Sequence, residues 1–245
     1  MAVCGVGRGA TVEELWPAQT PAGDAASVIS QLDASAKTLP PELQPAIQFQ
    51  KVFVQIIAGV PQAVWRGELE RLARLGTARS DPISQTVQRL ARVWLARVQM
   101  QELDAVLRKY YRNNVGFSES LAKIAKDIPP HLRTDPWGEP WMYQVHAPQG
   151  FKKQSDQRYQ LGPTRLPQLT TLKQATRNRP PTPRPWKVTA REIGGTRALE
   201  FRLASTGAPV ATTQAGGAVG DCVLVHVGQS WALLANQDQL FTIAF

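Results

Sequence analysis

The sequence predicts an α+β protein, and three observations predict it. From Ala25 to Ile128 apolar residues recur at three- and four-residue spacing, which is a helical period. From Trp186 to Phe245 short apolar or alternating runs are separated by glycine-bearing turns, which is an all-β pattern. Between them lies a proline-rich basic stretch, so helices and strands are segregated along the chain. The 245 residues are enough for two small domains. The expected division is a disordered lead at 1–24, a helical domain at 25–165, a linker at 166–185 and a small β sandwich or barrel at 186–245.

Residues 1–24 are rich in Gly, Ala, Thr and Pro without periodicity. Asp24 caps a short helix through about Lys37, and Pro40-Pro41 stops it. A second helix carries Ile47, Val52, Val54, Ile57 and Val60. Pro61 separates it from a third, where Trp65, Leu69, Leu72 and Leu75 recur before Gly76. Ser80-Asp81-Pro82 is a start signal, an acceptor cap followed by proline in the first turn. Behind it Ile83, Val87, Leu90, Trp94, Val98, Leu103, Val106, Leu107 and Tyr110 form an apolar stripe ending near Asn113, a helix of about 45 Å at ~1.5 Å per residue. Asn113-Asn114-Val115-Gly116 breaks it. Ser118 is expected to cap a short helix through about Asp127, closed by Pro129-Pro130. Strands are expected at Trp141–His146 and Gln157–Leu161.

Leading into the first of these strands stands Asp135-Pro136-Trp137-Gly138-Glu139-Pro140-Trp141-Met142-Tyr143, too rigid and too aromatic for an ordinary loop. Asp135, Pro136 and Gly138 occupy positions i, i+1 and i+3 of a type I turn, which should thrust Trp137 outward at i+2. Pro140 restrains Glu139 to extended conformations. Asp135, Pro136, Trp137, Gly138, Pro140, Trp141 and Tyr143 are therefore the candidate structural motif or interface.

Net charge is +9, and it is local. Phe151 to Arg202 holds twelve Lys or Arg against three acids, while the rest of the chain has sixteen of each. Arg165 to Pro185, ending in T-R-N-R-P-P-T-P-R-P, is expected to be extended and solvated. Arg177, Arg179, Arg184 and Lys187 are the candidate basic contacts of that region.

In the last sixty residues six strands are expected, at Trp186–Glu192, Ala198–Leu203, Pro209–Thr213, Cys222–Val227, Trp231–Ala235 and Phe241–Phe245. Gly228-Gln229 suits a type II′ hairpin with glycine at the first central position.

Catalytic patterns are absent from the sequence: it has no G-x-S-x-G, phosphate loop or H-E-x-x-H. His131, His146 and His226 are widely spaced, and Cys4 and Cys222 give neither a disulfide framework nor a metal spacing. By parity Cys222 and His226 share a sheet face, but no acid or oxyanion site accompanies them. Neither an enzyme nor a metal or other cofactor is expected. Val52–Val60 is too short to span a bilayer, and Met1–Gly5 lacks the charged and apolar regions of a signal peptide.

The stretch L-D-A-V-L-R-K-Y-Y-R-N-N-V-G-F-S-E-S-L-A-K-I-A-K-D-I, the D-P-W-G-E-P-W corner and Arg158-Tyr159-Gln160-Leu161-Gly162 together resemble the C-terminal region of the major pseudopilins of type II secretion. The resemblance spans about residues 103–162. It implies a non-catalytic structural or assembly component of a type II secretion or type IV pilus-like system, acting by docking to other machinery proteins. Two departures qualify it: the family's membrane helix and prepilin cleavage site have no counterpart, and Pro163-Thr164-Arg165-Leu166 stands where the family places calcium ligands. Polymerisation by the family's route and calcium binding are therefore not expected. The implied location is the periplasmic side of the cell envelope if an export signal precedes this start, and otherwise the cytoplasm. The β domain adds a fainter, fold-level likeness to periplasmic domains that clamp an inner platform to a secretin. The rival reading is a nucleic-acid-binding or regulatory module working through 151–202 and the β domain. The same charge also suits peripheral contact with anionic lipid.

Overall fold

The computed structural model describes residues 25–37, 39–75, 81–146, 157–177 and 186–245. It is an α+β protein with an N-terminal helical region followed by antiparallel sheets. The expected helix cap at Asp24 and the reading of residues 1–24 lie outside the described residues.

Helices α1 (Ala25–Ser35), α2 (Gln44–Ile57) and α3 (Gln62–Leu72) follow the expected punctuation, with Pro40 and Pro61 at the N-terminal borders of a short 3₁₀ turn and of α3. Of the residues their period marked, Ile47, Val52 and Val54, then Trp65, Leu69 and Leu72, are buried, whereas Ile57, Val60 and Leu75 are half-buried. Phe49, Phe53 and Ile56 join the buried side of the second helix, and Val28 and Leu32 are buried in the first. The Trp65 indole Nε1 donates to Val60 O at 2.9 Å, tying the start of α3 to the end of α2.

Helix α4 runs from Pro82 to Asn114, 33 residues or about 50 Å, within a residue of the expected end. Asp81 starts it as the cap, its Oδ1 accepting the Ser84 N–H at 2.8 Å. From Val93 to Met100 every residue is buried, so this stretch is enclosed on all sides rather than lying on a surface. The enclosure includes Arg97, 1% exposed, whose guanidinium lies 4.5 Å from the Trp94 ring centroid and donates through Nε to Thr170 O at 3.2 Å. The helix stops where Val115 enters the left-handed region at φ 56°, a conformation costly for a β-branched residue.

The chain divides into two compact units. One is Arg92–Arg179, and the other takes in the described residues on either side of it. One border therefore falls inside α4, which composition did not mark, while the other, at Arg179/Pro180, falls in the proline-rich stretch where composition placed a boundary.

In the Arg92–Arg179 unit, α4 packs against a two-stranded antiparallel hairpin, β1 (Trp141–His146) and β2 (Arg158–Pro163), with Trp141 opposite Pro163 and His146 opposite Arg158. Its core joins Val93, Ala96, Met100, Leu103 and Leu107 of α4 to Ile124, Ile128, Leu132, Trp141 and Leu169. The connection carries 3₁₀ turns at Leu121–Ile124 and Pro130–Leu132. Ser118 does not cap a helix here; its hydroxyl donates to Ser120 O at 2.7 Å.

The expectation of an extended, solvated stretch after Arg165 needs correction over its described part. Leu166–Leu169 is a turn closed by Leu169 N–H to Leu166 O at 3.0 Å, with Leu169 in the core. Helix α5 (Leu172–Arg177) follows, and Thr171 and Gln174 form a reciprocal capping box in which the Thr171 N–H donates to Gln174 Oε1 at 3.0 Å and the Gln174 N–H to Thr171 Oγ1 at 3.3 Å.

In the other unit, β3 (Trp186–Ile193), β4 (Thr196–Leu203) and β5 (Pro209–Thr213) form one antiparallel sheet. A second sheet, in order, contains β6 (Ala218–Val219), β7 (Cys222–Val227), β8 (Trp231–Ala235) and β9 (Leu240–Ala244). The two-residue strand β6 is an addition to the six expected. Leu199 and Phe201 of the first sheet pack on Val219, Cys222, Leu224, Ala232, Leu234, Phe241 and Ile243 of the second, which makes a sandwich. Gly194 and Gly195, at φ 60° and 76°, join β3 to β4 in the two-residue form that needs positive φ at both positions. The β7–β8 hairpin departs from expectation. Gly228 is not a central residue: its N–H donates to Trp231 O at 2.8 Å across Gln229-Ser230, and its φ is not positive. Glycine is needed there because a Cβ would come within 2.4 Å of the Trp231 ring.

The four-stranded sheet is buried on both faces. Val225, Leu233, Leu240 and Thr242 point away from the sandwich interior and are at most 2% exposed. Helical residues of the same unit reach this sheet: Arg89 Nη2 donates to Asn236 O at 3.0 Å.

Candidate functional site

The corner from Asp135 to Tyr143 is built on one buried carboxylate. Asp135 is 3% exposed, and its Oδ1 accepts the N–H groups of Trp137 at 2.9 Å and Glu139 at 3.0 Å. Its backbone closes the turn twice, O accepting from Gly138 N–H at 2.9 Å and N–H donating to Glu139 O at 2.8 Å. Pro136 fills the position that favours a fixed φ. Gly138 sits at φ 84° with open space around a hypothetical Cβ, so backbone conformation rather than crowding requires glycine.

Trp137 is not thrust outward. It is half-buried and packs against the core of its unit, because the two Asx hydrogen bonds curl the turn back over the hairpin. Trp141 is buried, with Nε1 donating to Leu132 O at 2.9 Å, and the Tyr143 hydroxyl donates to Ser118 O at 2.8 Å. These bonds fasten the start of β1 to the Pro130–Leu132 turn and to Ser118, just ahead of the Leu121–Ile124 turn. Pro140 is exposed, and its carbonyl accepts the Thr164 hydroxyl at 2.6 Å. Arg165 clasps Glu139, with Nη2 to Oε1 at 2.7 Å. The residues after β2 thus pin the corner from its other side, and a guanidinium neutralises the nearest surface carboxylate. Among the described residues no three of His, Cys, Asp and Glu are grouped as metal ligands.

Behind the corner runs a chain of rings. Tyr111 and Phe117 lie 4.7 Å apart by centroid, Phe117 meets Tyr159 edge-on at 4.7 Å, and Tyr159 lies 5.8 Å from Tyr143. The Tyr159 hydroxyl bonds the Asp104 carboxylate, which also holds Arg108 at 2.7 Å. Burial pushes the Tyr143 phenol up to about 12, with Tyr110 adding to it. Burial and the Asp104 carboxylate move Tyr159 upward as well, so both rings are neutral hydrogen-bond donors at physiological pH.

Of the basic candidates, Arg179 and Arg184 lie outside the described residues. Arg177 is exposed in the last turn of α5 and Lys187 is exposed in β3. Several other cations of the segment are committed to the fold. Arg191 and Arg202 converge on the buried Glu200, Arg202 Nε reaching Oε1 at 2.7 Å, and Arg197 Nη2 donates to Gln229 O.

Cys222 and His226 do not share a face. The register shifts between Leu224 and His226, leaving Val225 as the extra residue of a bulge and reversing the parity beyond it. Cys222 faces the sandwich interior, whereas the His226 ring lies 5.3 Å from Trp231. Burial, then Asp221, pushes the Cys222 thiol up to about 12, and burial pulls His226 down from its ordinary range. A thiol so protonated, facing away from the imidazole, is no nucleophile–base pair.

Sequence reasoning missed the Ser118 carbonyl as the Tyr143 anchor, for which no local signal exists. It also missed the Thr171–Gln174 capping box, whose T-x-x-Q spacing was legible. Compared with protein-family models, with curated proteins and with solved structures, the chain matches none of them.

Proposed function

We propose that this protein is a non-catalytic structural or assembly component of a type II secretion or type IV pilus-like system, and that it works by docking to other proteins of that machine. The observation that carries the reading is the order of parts in the Arg92–Arg179 unit: a long helix, a 3₁₀ connection, the Asp135 corner and an aromatic hairpin closing on the helix. It is the order in which the sequence resembles a pseudopilin C-terminal region. The corner's backbone donors are spent on the Asp135 carboxylate, and its Trp141 and Tyr143 donors on backbone carbonyls, which suits a scaffold better than a reacting centre.

The nucleic-acid reading has less support, because Arg165, Arg191 and Arg202 are engaged by carboxylates of the protein itself and Arg197 by the Gln229 carbonyl. The deciding experiment is protease accessibility of the chromosomally encoded protein, in intact cells and in spheroplasts. Cleavage confined to spheroplasts, together with loss of secretin or pilus assembly on gene deletion, is the expected result. Full protection in spheroplasts combined with normal assembly would sink the proposal.

A further inference from the structure

Between α4 and β2, within the Arg92–Arg179 unit, lies a cavity of about 690 Å³. Its lining has an apolar part: Met100 is buried, and Leu161 and the Tyr159 ring are partly buried against the core. Its lining also holds three cations, Arg108, Arg158 and Lys173, against one carboxylate, Asp104. Asp104 is already engaged, by Arg108 and by the Tyr159 hydroxyl. Arg158 and Lys173 are exposed, and among the described residues neither has a carboxylate partner.

Two cations on one concavity without a carboxylate partner among the described residues leave it positively charged, and an anionic ligand complements that charge. The volume is that of a site for a few side chains. We propose that this groove docks an acidic peptide segment of a partner protein. An apolar side chain sits on Met100, Leu161 and Tyr159, and flanking carboxylates pair with Arg158 and Lys173. A lipid surface would call for apolar groups that protrude, whereas Met100 is buried and Leu161 and Tyr159 are partly buried. A nucleic-acid strand would call for an open row of stacking rings, whereas Tyr159 is held edge-on by Phe117 and bonded to Asp104. The identity of the partner as a machinery component rests on the function proposed above; the ligand chemistry does not.

The test is panning of a phage-displayed library of random decapeptides against the purified full chain. Enriched sequences are expected to carry two or more Asp or Glu flanking an apolar residue. Their binding should weaken on raising salt, and by about tenfold or more in the double variant Arg158→Glu, Lys173→Glu. Lys37→Glu, an exposed cation in the other unit, should leave binding unchanged, and unaltered far-ultraviolet circular dichroism and Tm of the double variant separate a lost site from a lost fold. No enrichment, enrichment without acidic bias, or binding indifferent to the double reversal would overturn the site. So would sedimentation with phosphatidylserine vesicles that the double variant abolishes while no peptide binds. Because only purified protein is used, failure of the secretion reading in cells leaves this result standing, and the reverse is equally true.

Discussion

At the scale of single residues the Asp135 carboxylate is the most consequential group, since one oxygen organises two backbone N–H groups of the turn and sits 3% exposed. Removing it leaves both donors unpaired in a half-buried setting, so Asp135→Ala should cost about 2 kcal/mol, while Asp135→Asn, which keeps an acceptor oxygen, should cost roughly half that. Trp137→Ala should cost a similar ~2 kcal/mol through lost packing, below the range for a fully buried tryptophan. Chemical denaturation followed by tryptophan fluorescence measures all three. Equal losses for Ala and Asn at position 135 would show that the acceptor bonds are not what holds the corner.

Among the elements, β4 joins opposite environments on its two faces, with Leu199 and Phe201 in the sandwich core and Glu200 beneath Arg191 and Arg202 on the other side. The hydrogen bond from Arg191, helped by Arg202, holds the Glu200 carboxyl below its ordinary value. A depressed folded-state pKa stabilises above the unfolded value of about 4.3, and that contribution is lost as pH falls through the folded pKa. Glu200→Gln should therefore be less stable than the parent at pH 7, and the gap should narrow at pH 3. Urea midpoints at the two pH values decide it, and a gap of constant size would assign the loss to packing instead of charge. The strand itself, its neighbours and their glycine turns were legible in the sequence because alternation and Gly194-Gly195 are local signals. The bulge at Val225 was not legible, because no local residue type marks it and only pairing with β8 exposes the extra residue.

For the whole molecule, the decisive fact is that composition and packing divide the chain differently. The β segment looks self-sufficient in sequence, yet its four-stranded sheet buries Val225, Leu233 and Leu240 on the face turned away from the sandwich, in a unit whose remaining described elements are helices. Residues 186–245 expressed alone should therefore expose that face, giving strong binding of a hydrophobic dye and loss of a cooperative thermal transition. A cooperative, dye-silent fragment would mean that the sandwich is an autonomous domain after all.

What the sequence by itself determined is governed by near neighbours: the α+β class, the helix starts at Pro40, Pro61 and Asp81, the positions of the longer strands, and the Asp-Pro-Trp-Gly turn with its bonds. The tertiary structure alone decided that Trp137 folds inward, that Cys222 and His226 part company, that Leu169 docks and α5 forms within an apparent linker, and that a unit border falls inside α4. Caps, turns and periodicity are set within a few residues of chain, whereas which face meets which core depends on partners tens of residues away. Those partners are chosen by the burial they offer, and no local pattern records that choice.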